Sequence, residues 1–200
     1  MFQNSHIISR TGDSASRSGP SFTLSNRLVR LSWRIAWAIF ARWSPPQLNF
    51  WRILLLRLFG ATVDRTAAIS ASSDIWLPSN LEIASLVSIG PRVEIYNMAP
   101  IRIGMRTIVS QRAYLCAGSH DISSPAFQLI AKPISIGDDV WIAAEAFVGP
   151  GVAVGDGSVL SARACAFSDL EPWTVYRGNP AVPFKARHWR NVSRNPADPD

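Results

Sequence analysis

From residue 63 onward, aliphatic side chains return every six positions. Val63, Ile69, Ile75 and Leu81 hold that interval, then Ile83, Ile89, Ile95 and Ile101, then Ile103, Val109 and Leu115, each new run starting two residues late. The longest run without a slip is Ile136, Ile142, Val148, Val154, Leu160 and Ala166. Gly directly follows the aliphatic at Gly90, Gly104, Gly137, Gly149 and Gly155. A small or branched residue comes four positions after it at Val93, Thr107, Val140, Ala146, Val152, Ser158 and Ala164. Neither the 3.6-residue turn of a helix nor the two-residue alternation of a hairpin sheet generates such a period. A parallel β-solenoid does, with each unit supplying a short strand and a turn. Three units close a triangular coil and stack each inward aliphatic on its predecessor. Residues 63–115 and 136–171 then give about five coils, a prism about 25 Å tall at a ~4.8 Å strand spacing. The glycine beside each aliphatic is expected to let the corner turn tightly through its backbone freedom.

The chain ahead of the prism has another character. Residues 27–43 place Leu28, Leu31, Ile35, Ala38 and Ile39 on one helical face, with Arg30, Arg34 and Arg42 among them, and Ser44-Pro45-Pro46 stops the helix. Residues 48–59 form a second helical segment that ends at Gly60. Both segments are shorter than the ~20 apolar residues of a membrane span, and both contain arginine. The first 26 residues are polar, without the apolar core of a cleavable signal, and are expected to be disordered. The domain reading is therefore a disordered leader (1–26), a helical arm (27–60), an all-β solenoid (61–175) with an excursion at 116–135, and a short C-terminal tail (176–200).

The formal charge of +6 belongs to the arm. Residues 1–60 hold eight arginines against one acid, Asp13, whereas the remaining chain is close to neutral. A nucleic-acid binder carries its charge on the folded face that it presents, so nucleic acid is not an expected partner. The basic, Trp-rich arm suits either a cap over the first coil, which a solenoid needs to protect its open edge, or peripheral contact with an anionic membrane through residues 27–59. Two cysteines, Cys116 and Cys165, do not make a disulfide framework, and a cytoplasmic location fits them.

The repeat resembles that of the hexapeptide-repeat acyltransferases, whose motif is [LIV]-G-x-x-[STAV]-x. Three stretches are similar to the colanic-acid-type exopolysaccharide O-acetyltransferases. They are YNMAPIRIG (96–104), AYLCAGSHDISSPAF (113–127), and VWIAAEAFVGPGVAVGDGSVLSAR (140–163) leading to PWTVYRGNPA (172–181). The resemblance runs from about residue 27 to 187. It implies a left-handed coil, against the usual right-handed crossover, and a homotrimer with active sites between subunits. It also implies acetyl-CoA as donor, no metal, and a carbohydrate acceptor that is often lipid-linked.

Between Leu115 and Ile136 the rhythm stops, and interruptions of this length usually carry function. The resemblance makes His120 the general base that takes the proton of an acceptor hydroxyl. Chemistry agrees, because an alcohol needs a base near neutrality and an imidazole titrates there. Asp121 is a candidate to orient His120 or to brace the loop. Cys116, next to the inward Leu115, reads as a buried thiol rather than a nucleophile. The family pattern places Trp141, Ala143, Ala144, Ser161 and Ala162 along the coenzyme groove and Arg177, Lys185 and Arg187 near its phosphates. Tyr96 and Asn97, at a corner that breaks the rhythm, are candidates for the sugar. Phe167-Ser168-Asp169 stands where many relatives have Thr-Lys-Asp, which moves weight onto Lys185. Three other readings compete. One is a non-catalytic scaffold and another is an N-acetyltransferase of an amino-sugar. The third, a zinc carbonic anhydrase of the same fold, would require three histidines where the solenoid has one.

Overall fold

In the computed structural model, the described residues are 22–189, with the backbone of a two-residue strand at His6–Ile7. Most of the leader expected to be disordered, and the tail beyond 189, lie outside the described residues. The His6–Ile7 strand pairs antiparallel with Leu129–Ala131. Helix α1 spans Leu24–Phe40, starting ahead of the expected residue 27 because the Thr23 side chain accepts from the Asn26 N–H. Helix α2 spans Asn49–Leu58.

The prism has three faces. The first is made of Thr62–Val63, Leu81–Ile83, Ile101–Ile103, Ile134–Ile136 and Ala153–Val154. The second takes Ala68–Ile69, Ser88–Ile89, Ile108–Val109, Trp141–Ile142, Val159–Leu160 and Thr174–Arg177, with Val182–Ala186 added antiparallel at its end. The third takes Asp74–Ile75, Glu94–Tyr96, Tyr114–Cys116, Phe147–Val148 and Cys165–Ala166. All other pairings within these faces are parallel and in register, so inward residues stack in columns such as Ile69, Ile89, Val109, Ile142, Leu160 and Tyr176. Five coils are complete. A sixth, beyond the about five expected, only begins, with the Val154–Leu170 bridge and Thr174–Arg177.

The repeated glycines serve packing and not backbone freedom, which corrects the sequence expectation. Beyond the first coil, the positive-φ residue of each regular corner lies three positions after the inward aliphatic: Leu86, Arg92, Arg106, Arg112, Asp139, Glu145, Gly151, Gly157, Arg163 and Trp173. Most are not glycine, and their strain is offset by hydrogen bonds between coils. Arg106, Arg112, Asp139, Glu145 and Arg163 each donate their N–H to a carbonyl of the coil before. Their side chains add ion pairs, Arg106–Asp139 at 2.6 Å and Arg112–Glu145–Arg163 at 3.2 and 2.7 Å. Arg106 holds the Asp139 carboxyl, and Arg163 then Arg112 hold that of Glu145, below the usual range. The glycine after the aliphatic is needed because the next coil is too close. A Cβ on Gly90 would lie 2.9 Å from the Gln111 nitrogen, and one on Gly155 would lie 2.6 Å from the Pro172 nitrogen. On Gly137 it would strike the Asp156 carboxylate.

Most hydrogen bonds between coils run one way, from an N–H to a carbonyl of the coil that follows: Asp64 to Ile83, Ser70 to Ile89, Trp76 to Ile95. The equivalent carbonyls of the first coil, on Val63, Ile69 and Ile75, have no preceding coil to donate to them. The helical arm supplies the donors. Arg57 donates to Val63 and Arg52 to Ile69, and Trp33 Nε1 donates to Ile75. Asn49 adds a bond to Ala67 and accepts from the Ile69 N–H. Arg52, only 3% exposed, also binds the carbonyls of Ser44, Pro45 and Pro46. Of the two roles considered for the arm, the cap is thus met residue by residue.

Two consequences are open to measurement. Arg52→Met strips donors from several buried carbonyls and is expected to cost roughly 2–4 kcal/mol in thermal or denaturant unfolding. Gly155→Ala forces a methyl against backbone and is expected to cost about 1–3 kcal/mol.

Candidate functional site

All the slips in the repeat fall on one edge of the prism, where the third face hands over to the first. Successive coils there are 20 residues long, against 18 after Ile136. The surplus residues build a polar corner. Asn97, fully buried, accepts from the Leu77 N–H at 3.0 Å and donates to the Leu77 carbonyl at 2.7 Å. Asn80 donates to the carbonyls of Asn97 and Met98. Asn97 is therefore enclosed structure and does not face a sugar, contrary to the sequence expectation. Tyr96 is half-buried against Trp76, with ring centroids 5.6 Å apart, and burial followed by the nearby Cys116 raises its hydroxyl pKa.

The excursion leaves from this same edge in the third coil. It is not a structureless loop: Gly118–His120 and Leu129–Ala131 form an antiparallel hairpin pairing Gly118 with Ala131 and His120 with Leu129. Its root lies on the surplus corner of the coil before. A Cβ on Gly118 would stand 2.5 Å from Met98 Sδ and 2.9 Å from Tyr96 Cε1, so glycine at this position lets the hairpin sit down. The Cys116 thiol donates to the Gly118 carbonyl at 3.3 Å. This partner and the burial of Cys116 leave it a structural thiol at the hairpin root.

His120 is exposed near the tip, and its Nδ1 lies 2.7 Å from the Phe127 carbonyl oxygen. A carbonyl only accepts, so Nδ1 carries the proton, and in the neutral ring the lone pair is on Nε2. Phe127 has a positive φ of 47°, held by its N–H to the Ser124 carbonyl at 2.9 Å. The group that orients the imidazole is this carbonyl and not Asp121, whose carboxylate accepts from the Ser123 N–H at 2.9 Å. Asp121 braces the turn, and its own N–H donates to the Gln128 carbonyl. Phe127 and Gly118 were not singled out by sequence reasoning, and Met98, which sits at the rhythm-breaking corner with Tyr96 and Asn97, is buried there as the seat of the hairpin. Carbonyl direction leaves no trace in residue type, although the glycine two positions before His120 was a usable signal.

The residues proposed for a coenzyme lie elsewhere. Register places Ile108, Trp141, Val159, Val175 and Lys185 in one outward column of the second face. Trp141 is half-exposed, and its Nε1 donates to Ser110 Oγ at 2.9 Å. Ala143, Ala144, Ser161 and Ala162 follow at the corner into the third face, with Ala143 buried and Ala162 exposed. Arg177 and Lys185 are exposed on the terminal hairpin, and the Arg177 guanidinium lies 3.7 Å over the Phe184 ring. Arg187 is committed differently, donating through Nη1 to the carbonyls of Asp139 at 2.7 Å and Gly157 at 2.8 Å. It pins the terminal hairpin to the prism. The second face is opposite the edge from which the His120 hairpin emerges, so one chain does not bring the histidine and the Trp141 column together. No cluster of three or more potential metal ligands occurs among the described residues.

A triangular β-solenoid with a hexapeptide period and a histidine hairpin at one edge defines a class, and comparison with known proteins identifies it. WcaF of Escherichia coli (strain K12), named as a proposed colanic acid biosynthesis acetyltransferase, is 43% identical over 159 residues, 80% of this chain and 87% of WcaF. Among solved structures, the hexapeptide-repeat acetyltransferase of Vibrio cholerae O1 biovar eltor in complex with acetyl coenzyme A superposes with a TM-score of 0.75. It has 24% identity and covers 84% of this chain and 92% of its own. A maltose O-acetyltransferase from Clostridium difficile 630 gives a TM-score of 0.72 at 20% identity, covering 84% and 90%. No family model matches. The chain belongs to the WcaF-type hexapeptide-repeat acetyltransferases, and its fold is their left-handed parallel β-helix.

Replacing Gly118 tests the seat of the hairpin. Gly118→Val pushes branched carbons against Met98 and Tyr96 and is expected to reduce acetyl transfer at least tenfold, with a loss of stability below about 2 kcal/mol. Transfer kinetics and a thermal melt of the same preparation measure both.

Proposed function

We propose that this protein transfers the acetyl group of acetyl-CoA to a sugar hydroxyl, with His120 as the general base and without a covalent intermediate. The observation that carries the reading is the 2.7 Å approach of His120 Nδ1 to the Phe127 carbonyl, which orients an exposed imidazole and leaves Nε2 to act as the proton acceptor. Nε2 takes the proton of the acceptor hydroxyl while its oxygen attacks the thioester carbonyl carbon. The tetrahedral adduct then expels the thiolate, and the imidazolium returns the proton to the departing sulfur. Fixing Nδ1–H on a backbone carbonyl sets the tautomer in which Nε2 is the basic nitrogen at the start of each cycle and holds the ring in place while it is protonated.

The site is proposed to lie between copies in a homotrimer. Its support is topological: the hairpin edge and the outward column of Trp141 lie on opposite sides of one prism, so a neighbouring copy is needed to join them. In that groove Trp141 and the corner residues Ala143, Ala144, Ser161 and Ala162 would border the pantetheine chain. Lys185 and Arg177, at the top of the same face, would meet the phosphates. Arg187 would act indirectly by fixing the hairpin that carries them. Tyr96 would support the hairpin more than it would bind sugar. The Clostridium difficile relative is named for acetylating maltose and the Vibrio cholerae structure holds acetyl coenzyme A, which favours this donor and a carbohydrate acceptor. The similarity to WcaF favours a role in exopolysaccharide biosynthesis. Two free thiols suit the cytoplasm.

His120→Ala is expected to lower transfer from labelled acetyl-CoA to a panel of sugars by about 10²–10⁴-fold, leaving the melting temperature and the sedimentation coefficient unchanged. A fully active variant would remove the base from the mechanism. A chain that sediments as a monomer yet turns over would remove the shared site.

A further inference from the structure

The cap has a second surface that the prism does not use. On α1, the residues opposite the buried Trp33 and Trp37 are Leu24, Leu28, Leu31, Ile35 and Ile39, each between 50% and 68% exposed. At about 100° per residue they form one continuous stripe. Arg27 and Arg34 run along one flank of it, Arg42 follows just beyond the helix, and all three are exposed. Trp43, 65% exposed, stands at the same end. Helix α2 likewise leaves Phe50, Leu54 and Leu58 exposed. Between residues 22 and 60 there are six arginines and no acid. Arg52 and Arg57 are spent on the first-coil carbonyls, and Arg30 lies over the Phe22 and Trp76 rings, which leaves Arg27, Arg34 and Arg42 for an outside partner.

We propose that this stripe is an interfacial anchor that lays the capped end of the prism on an anionic phospholipid bilayer. An apolar ridge with a cationic border and no anionic side chain matches a surface of acyl chains beneath negative headgroups. The same charge pattern disfavours a second copy on this face, because two such borders would repel. The helix lies in the interface and does not cross it: no described helix is long and apolar enough to span a membrane. Burial of Leu28, Leu31 and Ile35 to roughly 5–10 Å below the headgroups would leave the arginines at phosphate level. The proposal stands independently of the role given to His120.

The test is vesicle flotation of the full chain. With vesicles of phosphatidylcholine containing about one-third phosphatidylglycerol the protein is expected to float, and with phosphatidylcholine alone to bind about tenfold less. The triple variant Leu28→Gln, Leu31→Gln, Ile35→Gln is expected to lose about tenfold or more of the binding to anionic vesicles. Arg27→Gln with Arg34→Gln is expected to lose binding to anionic vesicles and to gain nothing on neutral ones. Each substituted side chain is exposed, so melting temperature and acetyl transfer in solution should match the parent and separate this failure from a failure of the catalytic reading. Absence of flotation, equal flotation of the triple variant, or a change of oligomeric state in that variant without a change in flotation would each overturn the proposal.

Discussion

The structure depends on the direction of its hydrogen bonds between coils. Most coils offer N–H groups to the carbonyls of the next, so the first coil is left with acceptors and no donors. Arg57, Arg52 and Trp33 restore them at Val63, Ile69 and Ile75, and this explains why a basic, Trp-rich segment precedes an almost neutral prism. Guanidinium and indole N–H groups are donors that cannot turn into acceptors, which is what an edge of bare carbonyls requires. The terminal hairpin answers the other end, where Gly178 accepts from Cys165 and Arg187 ties the last strand to the corner carbonyls.

Tight stacking also explains the choice of small residues. The glycines after the inward aliphatics sit where the next coil's backbone leaves no room for a Cβ, while the left-handed corners are tolerated at arginine, glutamate and aspartate because each is bonded to the coil before. Where the stack is interrupted, the same rules place the histidine hairpin. Two surplus residues per coil gather on one edge, Asn97 and Asn80 satisfy that edge from within, and Gly118 lets the hairpin of the third coil rest on Met98 and Tyr96. His120 is thus held by a hairpin seated on a corner that the earlier coils have prepared.

Much of this was legible in the residues. The period of six, the two-residue slips, the break around His120 and the helical arm can be read directly, because inward positions tolerate only aliphatics and the chain repeats one geometry. Asn97 was misjudged because a side-chain amide that replaces backbone partners looks, in sequence, the same as one offered to a ligand. Asp121 was a candidate orienter because it adjoins His120, yet the hairpin turns its carboxylate to the Ser123 N–H. Arg187 looked like a phosphate ligand because basic tail residues carry no mark of where they fold back.

The sequence alone determined that the chain winds into a solenoid, pauses at His120, and begins with a basic amphipathic arm, since each of these is a pattern of residue types along the chain. Only the tertiary structure decided which imidazole nitrogen is available, what holds it, and that the histidine and the Trp141 column face opposite ways. These last facts depend on the direction of a carbonyl and on the order of faces around a prism. Both arise when distant segments are brought into register, and residue type records neither.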